Sequence, residues 1–382
     1  MRKPGHAGQY SASVSPEYRW PGEWEPHRTT LLAWPHRDDL WSGKLAAVQE
    51  RFLEIIAALL PHEPVCLLVP DESAADRILS RLPAESRALA TDARRLQTPV
   101  VATDDIWIRD YGPLHLLANA RSDADRLLAY TFNGWGHKFE AELDNAAARR
   151  IARIAGQTED LFGRELAAAE LIETDFVLEG GAIESNGDGL IMTTEACLLH
   201  PNRNPDLVSA NASRADKRAA VHERLLRDFH ASDVLWLPGG LTGDDTDGHI
   251  DMVARFIARD RVIACLPDDA THPSYAALHE NLAALRAFRF AADQTPLHVT
   301  TLPMPPLRYT NQGDLLPESY ANFYIANGCV LVPVFGYAES DARALEIIAG
   351  EFPDRETVPI SGSELILEGG GIHCATMNLM LR

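Results

Sequence analysis

The chain has 382 residues, 46 % of them hydrophobic, and a formal charge of −20 at pH 7. That length allows two or three domains or one large α/β architecture, with apolar residues enough for a sizeable core. The charge disfavours nucleic acid and anionic membrane surfaces, which reward Lys/Arg patches, and suits a small cation.

No stretch approaches the roughly 20 apolar residues of a membrane span. The start, Met1-Arg-Lys-Pro-Gly-His-Ala-Gly-Gln-Tyr10, lacks the apolar segment of a signal peptide. The five cysteines (Cys66, Cys197, Cys265, Cys329 and Cys374) include no Cys-x-x-Cys pair. Neither a disulfide framework nor a zinc ribbon is suggested, and a cytoplasmic location fits.

Residues 1–17 read as a loose, flexible N-terminal tail. Next come a strand at 30–34, a helix at 44–60, a strand at 65–69 and an extra helix near 73–82. From there one order recurs: two short strands, a helix and a third strand. The first pass occupies 113–118, 127–132, 140–154 and 174–178, and the second 182–185, 190–199, 214–230 and 233–237. A third takes 250–258, 261–266, 274–292 and 297–302, and a fourth 321–326, 329–335, 341–352 and 357–360. Strands are read from β-branched or aromatic runs bounded by Gly, Pro, Asn or Asp, and helices from length and apolar periodicity. The third strands start about 60 residues apart, a period that implies modules around an axis rather than separate domains. A last strand at 371–379 has no module of its own and would close the ring beside the first. The expected fold is α/β, a five-bladed propeller of five ββαβ units about a pseudo-fivefold axis, forming one domain over 18–382.

Chemistry concentrates where modules meet. Glu368-Gly-Gly-Gly-Ile-His-Cys374 sets a thiol behind three glycines, where a ligand can approach the backbone. Thr103-Asp-Asp-Ile-Trp-Ile-Arg-Asp110-Tyr-Gly-Pro and Gly243-Asp-Asp-Thr-Asp-Gly-His249-Ile-Asp251 lie far upstream. A lone cysteine with a distant histidine and carboxylates is the sequence form of a cysteine nucleophile. Read as a strand, 371–379 turns His373 and Cys374 to opposite faces, which makes His373 a poor partner for the thiol. His249 is the better choice, with Asp251 on its own face two residues on. The junctions offer acceptors, Asp104, Asp105, Asp110, Glu179, Asp244, Asp245, Asp247 and Asp251, where attack on an amide would need N–H donors. Acceptors suit a planar guanidinium with its fork of N–H groups. Trp107 and Trp135 can stack on such a cation. No second histidine at ligand-like spacing and no EF-hand loop accompany these residues, so neither a metal nor an organic cofactor is expected.

These motifs, in this order, resemble the agmatine deiminase and bacterial-type peptidylarginine deiminase family of the guanidino-modifying (pentein) superfamily. The resemblance runs from Pro21-Gly-Glu-Trp-Glu-Pro-His27 through Asp105-Ile-Trp-Ile-Arg-Asp110, Phe132-Asn-Gly-Trp-Gly136, Leu178-Glu-Gly-Gly181 and Cys197-Leu-Leu-His-Pro-Asn-Arg-Asn-Pro205. It continues over Gly243–Asp251 and Tyr320-Ala-Asn-Phe-Tyr-Ile-Ala-Asn327 to Gly369-Gly-Gly-Ile-His-Cys374. It implies Cys374 as nucleophile, His249 as general acid/base, Asp110 and Asp251 as guanidinium-binding carboxylates, and Glu179 as the residue that orients and charges the histidine. Trp107, Trp135 and Asp245 are further candidates for substrate contact. The implied reaction hydrolyses agmatine to N-carbamoylputrescine and ammonia through a Cys374 amidino-thioether. Alternatives are deimination of peptidyl-arginine, arginine or methylarginine, and amidino transfer. Free arginine would need a cation for its carboxylate, with Arg203 and Arg308 as candidates. Two departures from the family pattern, Met377-Asn378 for Gln-Gln and Trp20-Pro-Gly-Glu23 for Met-Pro-Ala-Glu, are expected not to touch the chemistry but leave the substrate tail unassigned. A homo-oligomer is possible.

Overall fold

The computed structural model describes residues 17–382 apart from 42, 92–94, 121–122, 158–165 and 210. The expected tail, except residue 17, therefore lies outside the described residues. Short β-rich runs form the strands. Val65–Leu68 is buried at every position, as a strand covered on both faces must be.

Five sheets repeat one pattern of pairing. An antiparallel pair is followed, across a helix, by a strand parallel to the second. Thus Leu114–Ala118 pairs antiparallel with Arg126–Thr131, which pairs parallel with Glu170–Val177. Ile183–Ser185, Leu190–Thr194 and Asp233–Leu237 repeat this. So do Ala254–Ala258, Arg261–Cys265 and His298–Leu302, then Tyr324–Ile325, Cys329–Val334 and Glu356–Ser361. The fifth sheet joins the chain ends. Met377–Met380 pairs antiparallel with His27–Ala33, itself parallel to Val65–Leu68.

The helices cover the sheets with one apolar stripe each. In Leu45–Leu59 the buried Val48, Phe52, Ile55, Ile56 and Leu59 follow the 3.6-residue period. Arg214–Phe229 starts at a Ser213–Asp216 capping box and ends at His230 in the left-handed region, φ 52°. No helix among the described residues is long and apolar enough to cross a membrane.

Several elements differ from expectation, mostly where a module begins. The run at 250–258 opens with a 3-10 turn, Ile250–Met252, before its strand. The last strand is only Met377–Met380, and residues 372–375 form a turn in which Ala375 N–H donates to Gly371 O at 3.2 Å. At 190–199 the strand stops at Thr194, whose hydroxyl caps a one-turn helix, Glu195–Leu198. The helix expected at 140–154 divides into Glu142–Asn145 and Ala147–Gln157. A helix at Ala84–Thr91 and two-residue strands at Tyr18–Arg19 and Leu96–Gln97 were too short or too weakly patterned to read.

Single turns stand ahead of the first strands. Ile108–Tyr111 packs on Gly180–Ala182, which packs on Ile250–Met252. With the loop 319–322 and the turn 372–375, these segments bring distant residues together.

Candidate active site

Each module entrance delivers one part of a buried cluster. Asp110 lies in Ile108–Tyr111, Glu179 just before Gly180–Ala182, His249 and Asp251 around Ile250–Met252, and Cys374 in the last turn. None is more than 5 % exposed. At the centre is Gly181, whose N–H donates to Asp110 Oδ1 at 3.0 Å. A Cβ there would lie 2.7 Å from both Asp110 Oδ1 and His249 Nδ1, and 3.1 Å from Asp251 Oδ2. Only glycine lets these three groups converge.

The carboxylates differ in their surroundings. Asp110 Oδ2 accepts from the Trp135 indole N–H at 2.9 Å. Burial, together with the neighbouring Asp251 and Glu179 charges, pushes its pKa up to about 6 despite His249 and Trp135. Asp251 is also raised by burial, but a 2.8 Å hydrogen bond from His373 Nδ1 and the charges of His373, His249 and Arg255 outweigh this and lower it. Asp251 Oδ2 also takes the Cys374 thiol at 3.4 Å, whereas its Oδ1, buried, has no partner among the described residues.

The thiol is neutral at rest. Burial and the adjacent Asp251 and Asp110 carboxylates hold its pKa well above that of a free cysteine. Asn322 Nδ2 donates to Sγ at 3.2 Å, and its Oδ1 accepts from His373 N–H at 2.9 Å. For His249, burial opposes the charged form, but Asp110, with Oδ1 3.7 Å from Nδ1, and then Cys197 and Glu179 raise its pKa well above the usual value. Both ring nitrogens of His249 lack hydrogen-bond partners among the described residues, as does Glu179 Oε2. Glu179 Oε1 accepts from Arg203 Nε at 2.5 Å.

The thiol lies at one wall of a pocket lined also by Asp105, Trp107, Asp110, Trp135, Asp245 and Glu368. Trp135 holds its position through a left-handed backbone, φ 53°, between Gly134 and Gly136 at φ 63° and 91°, a conformation that costs about 1–3 kcal/mol. Gly370 lets Trp107 lie close, since a Cβ would meet its ring at 2.4 Å. Burial lifts Asp105 to about 7, with Glu368 adding to the shift.

Several sequence candidates do other work. Asp104 accepts from the Leu143 N–H, Asp244 from Thr246 and the His249 N–H, and Asp247 from Lys138, Asn202 and Arg203. Asp245 stays exposed at the pocket rim. The strand parity that set His373 aside does not apply, because Cys374 sits in a turn and His373 touches Asp251. Asn322, Cys197 and Glu23 were not singled out. Each lies in a segment that carries the family resemblance, but nothing in its pattern aims it at the site, and only the fold brings it there. Glu179, Cys197 and His249 place possible metal-ligand atoms within 4.8 Å of one another. Arg203 already supplies Glu179 with a cation.

Solved structures define the class of fold. The agmatine deiminase of Enterococcus faecalis matches with TM-score 0.80 at 29 % identity, covering 95 % of this chain and 96 % of that one. A C. jejuni agmatine deiminase with substrate bound matches with TM-score 0.78 at 25 % identity, covering 98 % and 99 %. The class is the α/β pentein fold. Residues 19–379 match the model of the Porphyromonas-type peptidyl-arginine deiminase family. The Stutzerimonas stutzeri agmatine deiminase is 33 % identical over 381 residues, with 94 % of each chain covered. The chain belongs to the Porphyromonas-type peptidyl-arginine deiminase family, in which it is similar to agmatine deiminases.

Proposed function

We propose that the protein is an agmatine deiminase, hydrolysing agmatine to N-carbamoylputrescine and ammonia. The observation that carries this reading is the cluster itself: a thiol and an imidazole beside two buried carboxylates, with no lysine or arginine among the described residues that line the pocket. A guanidinium entering between Asp110 and Asp251 finds acceptors matched to its N–H fork. Its charge offsets the two carboxylates that hold the Cys374 thiol neutral, so the thiol loses its proton to solvent as the cation binds.

The Cys374 thiolate then bonds to the guanidinium carbon, and the C=N electron pair moves to nitrogen. The His249 imidazolium gives its proton to the departing nitrogen, the C–N bond breaks, and ammonia leaves. Neutral His249 next takes a proton from water, whose oxygen adds to the amidino-thioether carbon. The C–S bond breaks, returning the thiolate, and the hydroxyl proton passes to solvent as the C=O forms and the ureido product is released. Glu179, fixed by Arg203, adds negative charge beside His249. Trp107 and Trp135 wall the guanidinium and its methylene chain.

The tail of the substrate separates agmatine from arginine. Asp105, Asp245 and Glu368 face it, and suit an ammonium rather than an α-carboxylate. Arg203 is tied to Glu179 and Asp247, and Arg308 to Glu318 and the Ser363 carbonyl. The five repeated sheets support the finer description of the fold, a five-bladed propeller about a pseudo-fivefold axis in one domain over 18–382. Five buried free cysteines suit a reducing cytoplasm. Ammonia release from agmatine, arginine, methylarginines and an arginyl peptide, compared side by side, tests the reading. Agmatine is expected to lead in kcat/KM by at least about tenfold, and a faster reaction with arginine or the peptide would overturn the assignment.

A further inference from the structure

Behind Asp251, away from the substrate pocket, lies a chain of buried charges that the mechanism above does not use. His373 Nδ1 meets Asp251 Oδ2 at 2.8 Å, and His373 Nε2 meets Glu23 Oε2 at 2.9 Å. The histidine is 2 % exposed and Glu23 8 %. A carboxylate only accepts hydrogen bonds, so two such contacts require two donated protons, one more than a neutral imidazole carries. Glu23 is itself held by Arg109 Nη2 at 2.8 Å, Arg255 Nη2 at 2.8 Å and the Ile325 N–H at 2.9 Å. Burial opposes charge on Glu23, but Arg255, then His373 and Arg109, hold it well below the usual carboxylate range.

We propose that His373 and Glu23 are positioning residues for the reaction: Glu23 anchors His373, and His373 pins Asp251 Oδ2 so that Oδ1 turns to the guanidinium. The proposal rests on the assignment of Asp251 as a guanidinium ligand. Its geometry is distinctive. Asp251 Oδ2 is shared between His373 and the Cys374 thiol, while Oδ1 is buried with no partner among the described residues. Pinning one oxygen fixes the carboxylate's rotation and keeps the pair of substrate acceptors at Asp110 and Asp251 in register. The hydrogen bond and charge of His373 also favour the ionised form of Asp251. The charged and titratable groups around His373 are Glu23, Asp251 and Cys374 in contact, Arg109 through the His373 carbonyl, and Arg255, Glu184, His249 and Asp110 one step beyond. Glu23 lies in Trp20-Pro-Gly-Glu23, one of the two segments that depart from the family pattern. The glutamate at its end is the part that reaches the site.

His373→Gln and Glu23→Gln test the role, each assayed for KM and kcat with agmatine across pH, with a thermal melt to establish folding. His373→Gln leaves one donor and no charge, so Asp251 holds its proton to higher pH. The expected result is a rise in KM of about tenfold or more and a steeper acid limb of kcat/KM, as Asp251 titrates alongside Asp110. Glu23→Gln, nearly isosteric, moves both in the same direction by less, and it decides the matter if His373→Gln does not fold. A parental KM and acid limb in the folded variants, or a loss confined to kcat, would overturn the proposal. Asp251→Asn separates the two levels. If it turns over like the parent, the guanidinium assignment fails. If it is inactive while His373→Gln and Glu23→Gln behave as the parent, only the positioning role fails.

Discussion

In the proposed mechanism Asp110 stands between two demands: it must be charged to hold a guanidinium, and its burial beside Asp251 and Glu179 resists charge. The compromise is a pKa of about 6, which fixes a prediction. The carboxylate is ionised above that value and protonated below it, so kcat/KM for agmatine falls as pH drops through about 6. A pH–rate profile flat down to pH values near that of an unperturbed aspartate, about 4, would contradict the assignment. Cys374, His249, Asp110, Glu179 and Asp251, which the fold gathers into one cluster, were all singled out from the sequence, because each stands in a glycine- or carboxylate-rich junction. Asn322 was not. A single asparagine in Tyr320-Ala-Asn-Phe looks like any loop residue, and its donation to Sγ depends on a chain reversal more than 50 residues away. His373 was misread for a related reason: its role follows from a turn, while its sequence pattern suggests a strand.

The elements that matter most are the shortest ones. The one-turn segments Ile108–Tyr111, Gly180–Ala182 and Ile250–Met252 aim Asp110, Glu179, His249 and Asp251 between them, and no periodicity of 2 or 3.6 can be read over three or four residues. That is why longer strands and helices were legible to within a few residues, while module entrances were absorbed into neighbouring strands. Gly181 tests this packing. In Gly181→Ala the added Cβ meets Asp110 and His249 at 2.7 Å, so activity should fall on the order of 100-fold while the melting temperature changes little. Full activity in that variant would mean the three groups need not converge so closely.

For the whole molecule, the fold depends on joining its ends. Met377–Met380 pairs with His27–Ala33, and the strand that anchors the Cys374 turn is thus also the seam between the two termini. The recurring module order and the period of about 60 residues foretold this pairing, because a final strand without its own module needs a partner. The bridge from Glu23 to the site was invisible, since nothing in the order of modules says which residues face the axis. Removing residues 377–382 should abolish the cooperative thermal transition, and an unchanged melt would refute the seam. The central claim is that Cys374 attacks a guanidinium carbon. Intact-mass analysis of a reaction with agmatine quenched in mid-turnover tests it most directly. The account predicts a chain heavier by agmatine less ammonia, with the added mass on the Cys374 peptide. Turnover without that adduct, or continued turnover by Cys374→Ala, would contradict it.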